Sequence, residues 1–407
     1  MPKAVACPPY QPSQSAKGYT NGLPRVIVAA VLESVDTMYQ GPDRLQTLAI
    51  ASLVSREWHC IARRRLYGRL LVCLWSPPTH AKHSFDLLST LLMNRKLARM
   101  VHELVLHLEH ASAVAATTTF TLFRDLVNLT RLSMTLTFSK ATMVASHLDM
   151  LKNLRDLSVA GGFTKTFSGA LYRLHRLKKL QLSSYPPDPT YQPTFELKHF
   201  IADIELAPQT FYKLTAFSCE TLTTLVLSVS DFLPPIDISY LVNLRSLSFI
   251  APADPLHPAD IGMDCDVEEE ERGGGQWVFD VLKTARNLRR LTFLSLRHAD
   301  GAIDDVWEDL PYMATDILQT LPRSIEVLDL GAVIHAFTLD DLEDLIVKKY
   351  VQTPKLHMLY IGCILPYLVT LWGYSHLSLY IFASGFGVRV IFDHACLPVL
   401  SAAVCTF

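Results

Sequence analysis

LVNLTRLSM at 126–134, LKNLRDLSV at 151–159, LHRLKKLQL at 174–182, LVNLRSLSF at 241–249 and ARNLRRLTF at 285–293 are variants of one phrase. Each sets an apolar residue, two variable ones, an apolar one, one variable one and an apolar one. The same spacing occurs at Val101/Leu104/Leu106, Leu129/Leu132/Met134, Leu154/Leu157/Val159 and Leu177/Leu180/Leu182. It returns at Leu222/Leu225/Leu227, Leu244/Leu247/Phe249, Leu288/Leu291/Phe293, Ile325/Leu328/Leu330 and Leu356/Leu359/Ile361. From Val101 through Leu129 and Leu154 to Leu177 the steps are 28, 25 and 23 residues. The step of 45 from Leu177 to Leu222 has room for two units, and Leu197/Phe200 is the degenerate candidate for the missing one.

Alternating apolar residues on a strand point to one face. A single short strand cannot bury that face. Stacked neighbours make a continuous apolar spine, in which each buried Leu contributes about 1.5–3 kcal/mol. The intervening stretches, such as TMVASHLDMLKN (142–153) and WVFDVLKTARN (277–287), read as helical return limbs. Pattern and period resemble leucine-rich repeats over 101–361. The resemblance implies an α/β solenoid, an irregular horseshoe with a parallel sheet on its concave face. Target choice would then lie in the variable positions Thr130, Arg131, Arg155, Asp156, Lys178, Lys179, Thr223, Thr224, Arg245 and Arg289.

The repeats are interrupted at 252–276, where three prolines precede an acidic run (Asp264, Asp266, Glu268, Glu269, Glu270, Glu271) and the glycines Gly273–Gly275. This composition reads as a flexible, solvated loop; the functional alternative is an acidic docking loop for a basic partner. Upstream, Phe85, Leu88, Leu91 and Leu92 are helically spaced, so 71–100 is expected to be either the first repeat or a cap on the spine.

The second informative stretch is 23–70, LPRVIVAAVLESVDTMYQGPDRLQTLAIASLVSREWHCIARRRLYGRL. Pro24 suits the first turn of a helix, where its missing N–H costs nothing. Ile27, Val31 and Val35 form one helical stripe that Val28 and Leu32 widen. Gly41-Pro42 breaks the chain and Asp43 can cap a second helix, on which Leu45, Leu48 and Ser52 share a side. Ile50, Val54, Trp58 and Ile61 read as a longer stripe. Two or three helices this short have little core of their own, so apolar surface is expected to stay open for a partner. The segment 21–70 resembles an F-box, the adaptor-binding module of cullin-RING ubiquitin ligases, through Leu23-Pro24, the run LVSREWH and the ending RRLYGRL. That resemblance assigns Leu23, Pro24, Ile27, Val31, Leu53, Val54, Ser55 and Trp58 to contact with a Skp-type adaptor. It departs from the family pattern at Val26, where an acidic residue is usual, and in the long link 36–44.

Together the two resemblances imply a substrate-recognition subunit of a Skp-cullin-F-box ubiquitin ligase, which performs no chemistry and holds an unknown target protein on its repeats. The alternative is a repeat scaffold without ligase assembly. No G-x-S-x-G, Walker loop, H-E-x-x-H or dinucleotide fingerprint is present, so neither enzymatic activity nor a cofactor is expected. Eight cysteines lack C-x-x-C spacing and suggest reduced thiols of the cytoplasm or nucleus. His102, His107 and His110 are not expected to converge on a metal. Lys+Arg 37 against Asp+Glu 39 gives no push toward nucleic acid, and the arginines between Arg56 and Arg69 read as a wet helix face. The Pro/Ser/Gln-rich residues 1–20 lack a signal-peptide apolar region and read as a disordered tail. Residues 356–388 carry no Asp, Glu, Lys or Arg. Within the apolar 362–407 three readings compete: last repeats under a degraded cap, a membrane anchor, which is the least expected, or misread coding sequence.

Overall fold

The computed structural model describes residues 25–38, 41–74, 78–184, 187–188, 190–229, 233–250, 274–294, 310–331, 333, 337–362, 379 and 383–392. The expected tail at 1–20, Leu23 and Pro24, and most of the acidic loop and of the apolar C-terminal segment lie outside the described residues. The chain divides into two compact units, Met1–Gly68 and Arg69–Phe407.

Among the described residues the first unit holds three helices, α1 (Arg25–Met38), α2 (Gly41–Ala51) and α3 (Arg56–Gly68). Gly41 and Pro42 open α2 instead of standing outside it, with Asp43 in the first turn, where its charge favours the helix dipole. Val28, Leu32, Leu48, Ala51 and Ala62 form the core, with Val35, Trp58, Ile61 and Leu66 packed on it. The stripe read through Ile50, Val54, Trp58 and Ile61 is not continuous, because the chain leaves the helix between α2 and α3. There Ser52, Leu53 and Val54 donate to the carbonyls of Leu48, Ile50 and Ala51. This turn resets the helical phase, so Ile50 and Val54 face outward while Trp58 and Ile61 pack inward. Leu45 is likewise half exposed although Leu48, one turn on, is buried.

The second unit is built on one 12-stranded parallel sheet whose strands lie side by side in chain order. The strands are β1 (Arg69–Cys73), β2 (Glu103–His107), β3 (Arg131–Leu136), β4 (Asp156–Gly161), β5 (Lys179–Ser184) and β6 (His199–Asp203). They continue as β7 (Thr224–Ser228), β8 (Ser246–Ile250), β9 (Arg290–Leu294), β10 (Val327–Asp329), β11 (Met358–Gly362) and β12 (Arg389–Phe392). The return limbs carry α4 (Pro78–Met93), α5 (Arg95–Ala98), α6 (Ala113–Leu122), α7 (Phe138–Leu148), α8 (Lys165–Tyr172) and α9 (Pro208–Thr215). After β8 come α10 (Gly274–Thr284), α11 (Leu310–Thr320) and α12 (Leu339–Gln352).

Register aligns one buried apolar row across the whole sheet, from Leu70, Leu104, Leu132 and Leu157 through Leu180, Phe200, Leu225 and Leu247 to Leu291, Leu328, Leu359 and Val390. The first apolar residue of each unit, among them Leu129, Leu154, Leu177 and Leu197, is also buried beside the sheet. Phe200 therefore occupies the place read for the missing unit. Two further strands join the series. β1 alternates Leu70 and Val72 inward and is followed by α4, so the stretch after Gly68 supplies a strand and a helix to the same series. β12 follows a register shift at Tyr360/Gly362 and sets Val390 beside Leu359.

Polar groups fix the turn before each strand. Thr130 and Arg131 both donate backbone N–H to the His102 carbonyl, and Arg155 and Asp156 repeat this to Thr130. Asn128, Asn153, Asn243 and Asn287 donate side-chain Nδ2 to the Arg99, Val127, Glu220 and Val242 carbonyls at 2.7, 2.8, 2.6 and 2.9 Å. Each bond ties the turn before one strand to a carbonyl of the preceding unit. Where Asn is absent another donor serves: Thr221 Oγ1 donates to the Leu197 carbonyl at 2.8 Å.

Gly161 has a turn role, at the end of β4 with φ 107°. A Cβ there would lie 1.8 Å from the Leu136 carbonyl oxygen. Gly161→Ala is expected to cost at least about 2 kcal/mol in denaturant unfolding, whereas Gly385→Ala, with open space around it, should be near neutral.

Candidate interaction surfaces

The residues assigned to adaptor contact fall into two groups. Ile27 and Val31 on α1 are 45% and 41% exposed, and Leu53 and Val54 in the α2–α3 turn are 84% and 63% exposed. Their i+1 neighbours on α1, Val28 and Leu32, carry the burial instead. Ser55 and Trp58 are engaged internally: the Trp58 backbone N–H donates to Ser55 Oγ at 3.3 Å, which makes Ser55 the N-cap of α3, and Trp58 packs on the small core. Sequence reading missed that Val26 is exposed with Ile27. It also missed the ties made by two arginines. Arg44 donates to the Arg65 carbonyl at 3.2 Å, and Arg65 donates to the Ala29 carbonyl at 3.4 Å and lies 3.6 Å from Glu33. Part of the arginine run thus joins helices rather than facing water, and no spacing rule signals that.

The second surface is the open side of the sheet. Opposite the apolar row, β2–β7 line a shallow trough of about 660 Å³. Its first row reads Arg69, Glu103, Arg131, Asp156, Lys179, His199, Thr224, Ser246 and Arg290 by register. Charges alternate along the first five. Arg69 Nε lies 2.9 Å from Glu103, and Arg131 bridges Glu103 at 3.9 Å and Asp156 at 3.0 Å. Exposed pairs of this kind contribute about 0.2–1 kcal/mol each, so they orient side chains more than they stabilise the sheet. The next row carries Val105, Ser133, Ser158, Gln181, Ile201, Val226, Ser248 and Thr292, small polar and aliphatic groups. Of the variable positions named from sequence, Arg131, Asp156, Lys179 and Thr224 line the trough, and Thr130, Arg155, Lys178, Thr223, Arg245 and Arg289 stand at the strand starts beside it.

The histidines serve locally: His107 Nδ1 lies 3.0 Å from Thr135 Oγ1 and His102 Nδ1 lies 2.6 Å from the Met100 carbonyl. Among the described residues no group of three or more His, Cys, Asp or Glu could hold a metal ion. No described helix is long and apolar enough to cross a membrane.

The second unit is an α/β repeat solenoid, similar in architecture to leucine-rich-repeat proteins, with a polar sheet face open over β2–β7. Neither protein-family models nor curated proteins give a match to the chain. The crystal structure of a TLR13–ssRNA13 complex is similar at a TM-score of 0.28 and 12% identity, over 67% of this chain and 43% of that one. The match spans less than half the length of that protein.

Two predictions follow from local chemistry. Ser55→Ala removes the α3 cap and is expected to cost about 1 kcal/mol, read as faster amide exchange across α3 with β2–β8 unchanged. Asp203, at the end of β6, has a buried carboxyl oxygen with no hydrogen-bond partner among the described residues, and burial pushes its pKa up. The folded state then binds this proton more tightly than the unfolded chain, so stability falls as pH rises through the window between the unfolded and folded values. Asp203→Asn should raise the melting temperature at pH 7, and the gain should fade below about pH 4, near the ordinary carboxylate value.

Proposed function

We propose that the protein is a non-catalytic adaptor-docked receptor: the helical unit binds a Skp-type adaptor within a cullin ubiquitin ligase, and the sheet face holds a target protein. The observation that carries this reading is the outward placement of Ile27, Val31, Leu53 and Val54 on a unit whose core, among the described residues, is five residues with a few partly buried neighbours. Apolar side chains held in water on so small a unit favour a partner surface. The resemblance of 21–70 to an F-box points to a Skp-type adaptor as that partner, and the open sheet face over β2–β7 offers a second binding surface. Linking the two raises the effective concentration of a target near the ligase, and no residue of the chain is required to do chemistry. A cytoplasmic or nuclear location accords with the reading.

The internal roles of Ser55 and Trp58 favour a second reading, a repeat scaffold whose helical unit has no adaptor. One experiment separates them. Full-length protein and an Ile27→Asp/Val31→Asp/Leu53→Asp variant, whose changes fall outside the buried core, are captured and probed for a Skp-type adaptor and cullin. Recovery with the wild type and a loss of at least about tenfold with the variant is the expected outcome. Equal absence from both supports the scaffold.

A further inference from the structure

The start of successive strands carries a charge pattern that the ion pairs of the trough do not absorb. At the residue before the aligned first position of β4–β9, five of six places are basic: Arg155, Lys178, Lys198, Arg245 and Arg289, with Thr223 the exception. Lys178 lies 3.4 Å from Glu196 and Arg289 lies 3.5 Å from Glu326. Arg155, Lys198 and Arg245 are exposed and have no ion-pair partner among the described residues. They immediately precede alternate strands, β4, β6 and β8. Neighbouring strands lie about 4.8 Å apart, so these three charges recur about every 9.6 Å.

That interval selects among anions. A polyproline-II segment advances about 3.1 Å per residue and turns once in three, so carboxylates at every third residue fall about 9.3 Å apart on one side. The adjacent rows offer small, partly exposed hydrogen-bonding groups such as Ser133, Ser158 and Gln181 for a peptide backbone. The two trough rows from β1 to β10 contain no Phe, Tyr or Trp on which bases could stack, which disfavours single-stranded nucleic acid.

We propose that Arg155, Lys198 and Arg245 form a recognition edge for an acidic, extended peptide segment with carboxylates three residues apart. This rests on the reading of the sheet face as the target-binding surface and names the chemistry of that target. Fluorescence anisotropy of full-length protein with a labelled peptide of three Glu-Ser-Pro units tests it. The controls are an isomer with its three Glu contiguous and a single-stranded oligonucleotide of equal length. The expected result is salt-sensitive binding of the spaced peptide, tighter than either control. Arg155→Gln/Lys198→Gln/Arg245→Gln should weaken it at least about tenfold with an unchanged melting temperature. Lys96→Gln/Lys165→Gln, on exposed lysines of α5 and α8, should leave it intact. Equal binding of the contiguous isomer or the oligonucleotide, or equal weakening by the α5/α8 variant, overturns the proposal. Adaptor capture is read separately: loss of adaptor binding with retained peptide binding removes the ligase reading alone, and the reverse removes this one.

Discussion

Everything in the second unit depends on a strand too short to bury its own apolar side. Each repeat brings two inward residues and one more beside the sheet, and no repeat can keep them from water without the next. The in-order parallel ladder of 12 strands is the solution. Its register sets like against like, Leu132 beside Leu157 and Phe249 beside Phe293. Stability in such an array is close to a sum of neighbour contacts. The asparagine and threonine bonds before each strand serve the same end, because they satisfy carbonyls of the preceding unit.

That constraint also decides where recognition can happen. The buried side of every strand is committed to the spine, so variation is free only on the open side and at the strand starts. Charges there accumulate without cost to the core: Arg131 shared between Glu103 and Asp156 holds its neighbours in order, while Arg155 and Arg245 remain directed to solvent. The helical unit follows a different rule. Its core is small, and phase is reset at Ser55, so apolar residues are divided between an inward group around Val28 and Leu48 and an outward group around Ile27 and Leu53.

The sequence makes the repeat legible because three apolar residues at fixed spacing are demanded by one geometry. It holds even at Leu197/Phe200, where the leucines are diluted. β1 and β12 are harder to read because the first apolar place of the triplet falls on Tyr67 and Gly387 rather than on an aliphatic residue. In the helices the apolar stripe is visible from spacing, but its facing is not. Val28 and Ile27 are adjacent, equally apolar and differently placed, and only the packing partner decides which is covered. The Ser55 cap is readable from sequence, since serine before Arg56-Glu57-Trp58 is a helix-start signal. The ties of Arg44 and Arg65 to carbonyls of other helices depend on tertiary approach and leave no sequence trace.

The register counts strands, not residues. Leu180 and Phe200 are twenty positions apart and Leu247 and Leu291 are forty-four apart, yet both pairs sit side by side in the same row. Closing a longer connection costs only about 0.6 kcal/mol per doubling of its length. The limb behind the sheet can therefore gain or lose whole segments while the face in front stays aligned. In such a frame novelty arrives most cheaply by insertion on one side and by single-residue exchange on the other, so the two faces can change independently of one another.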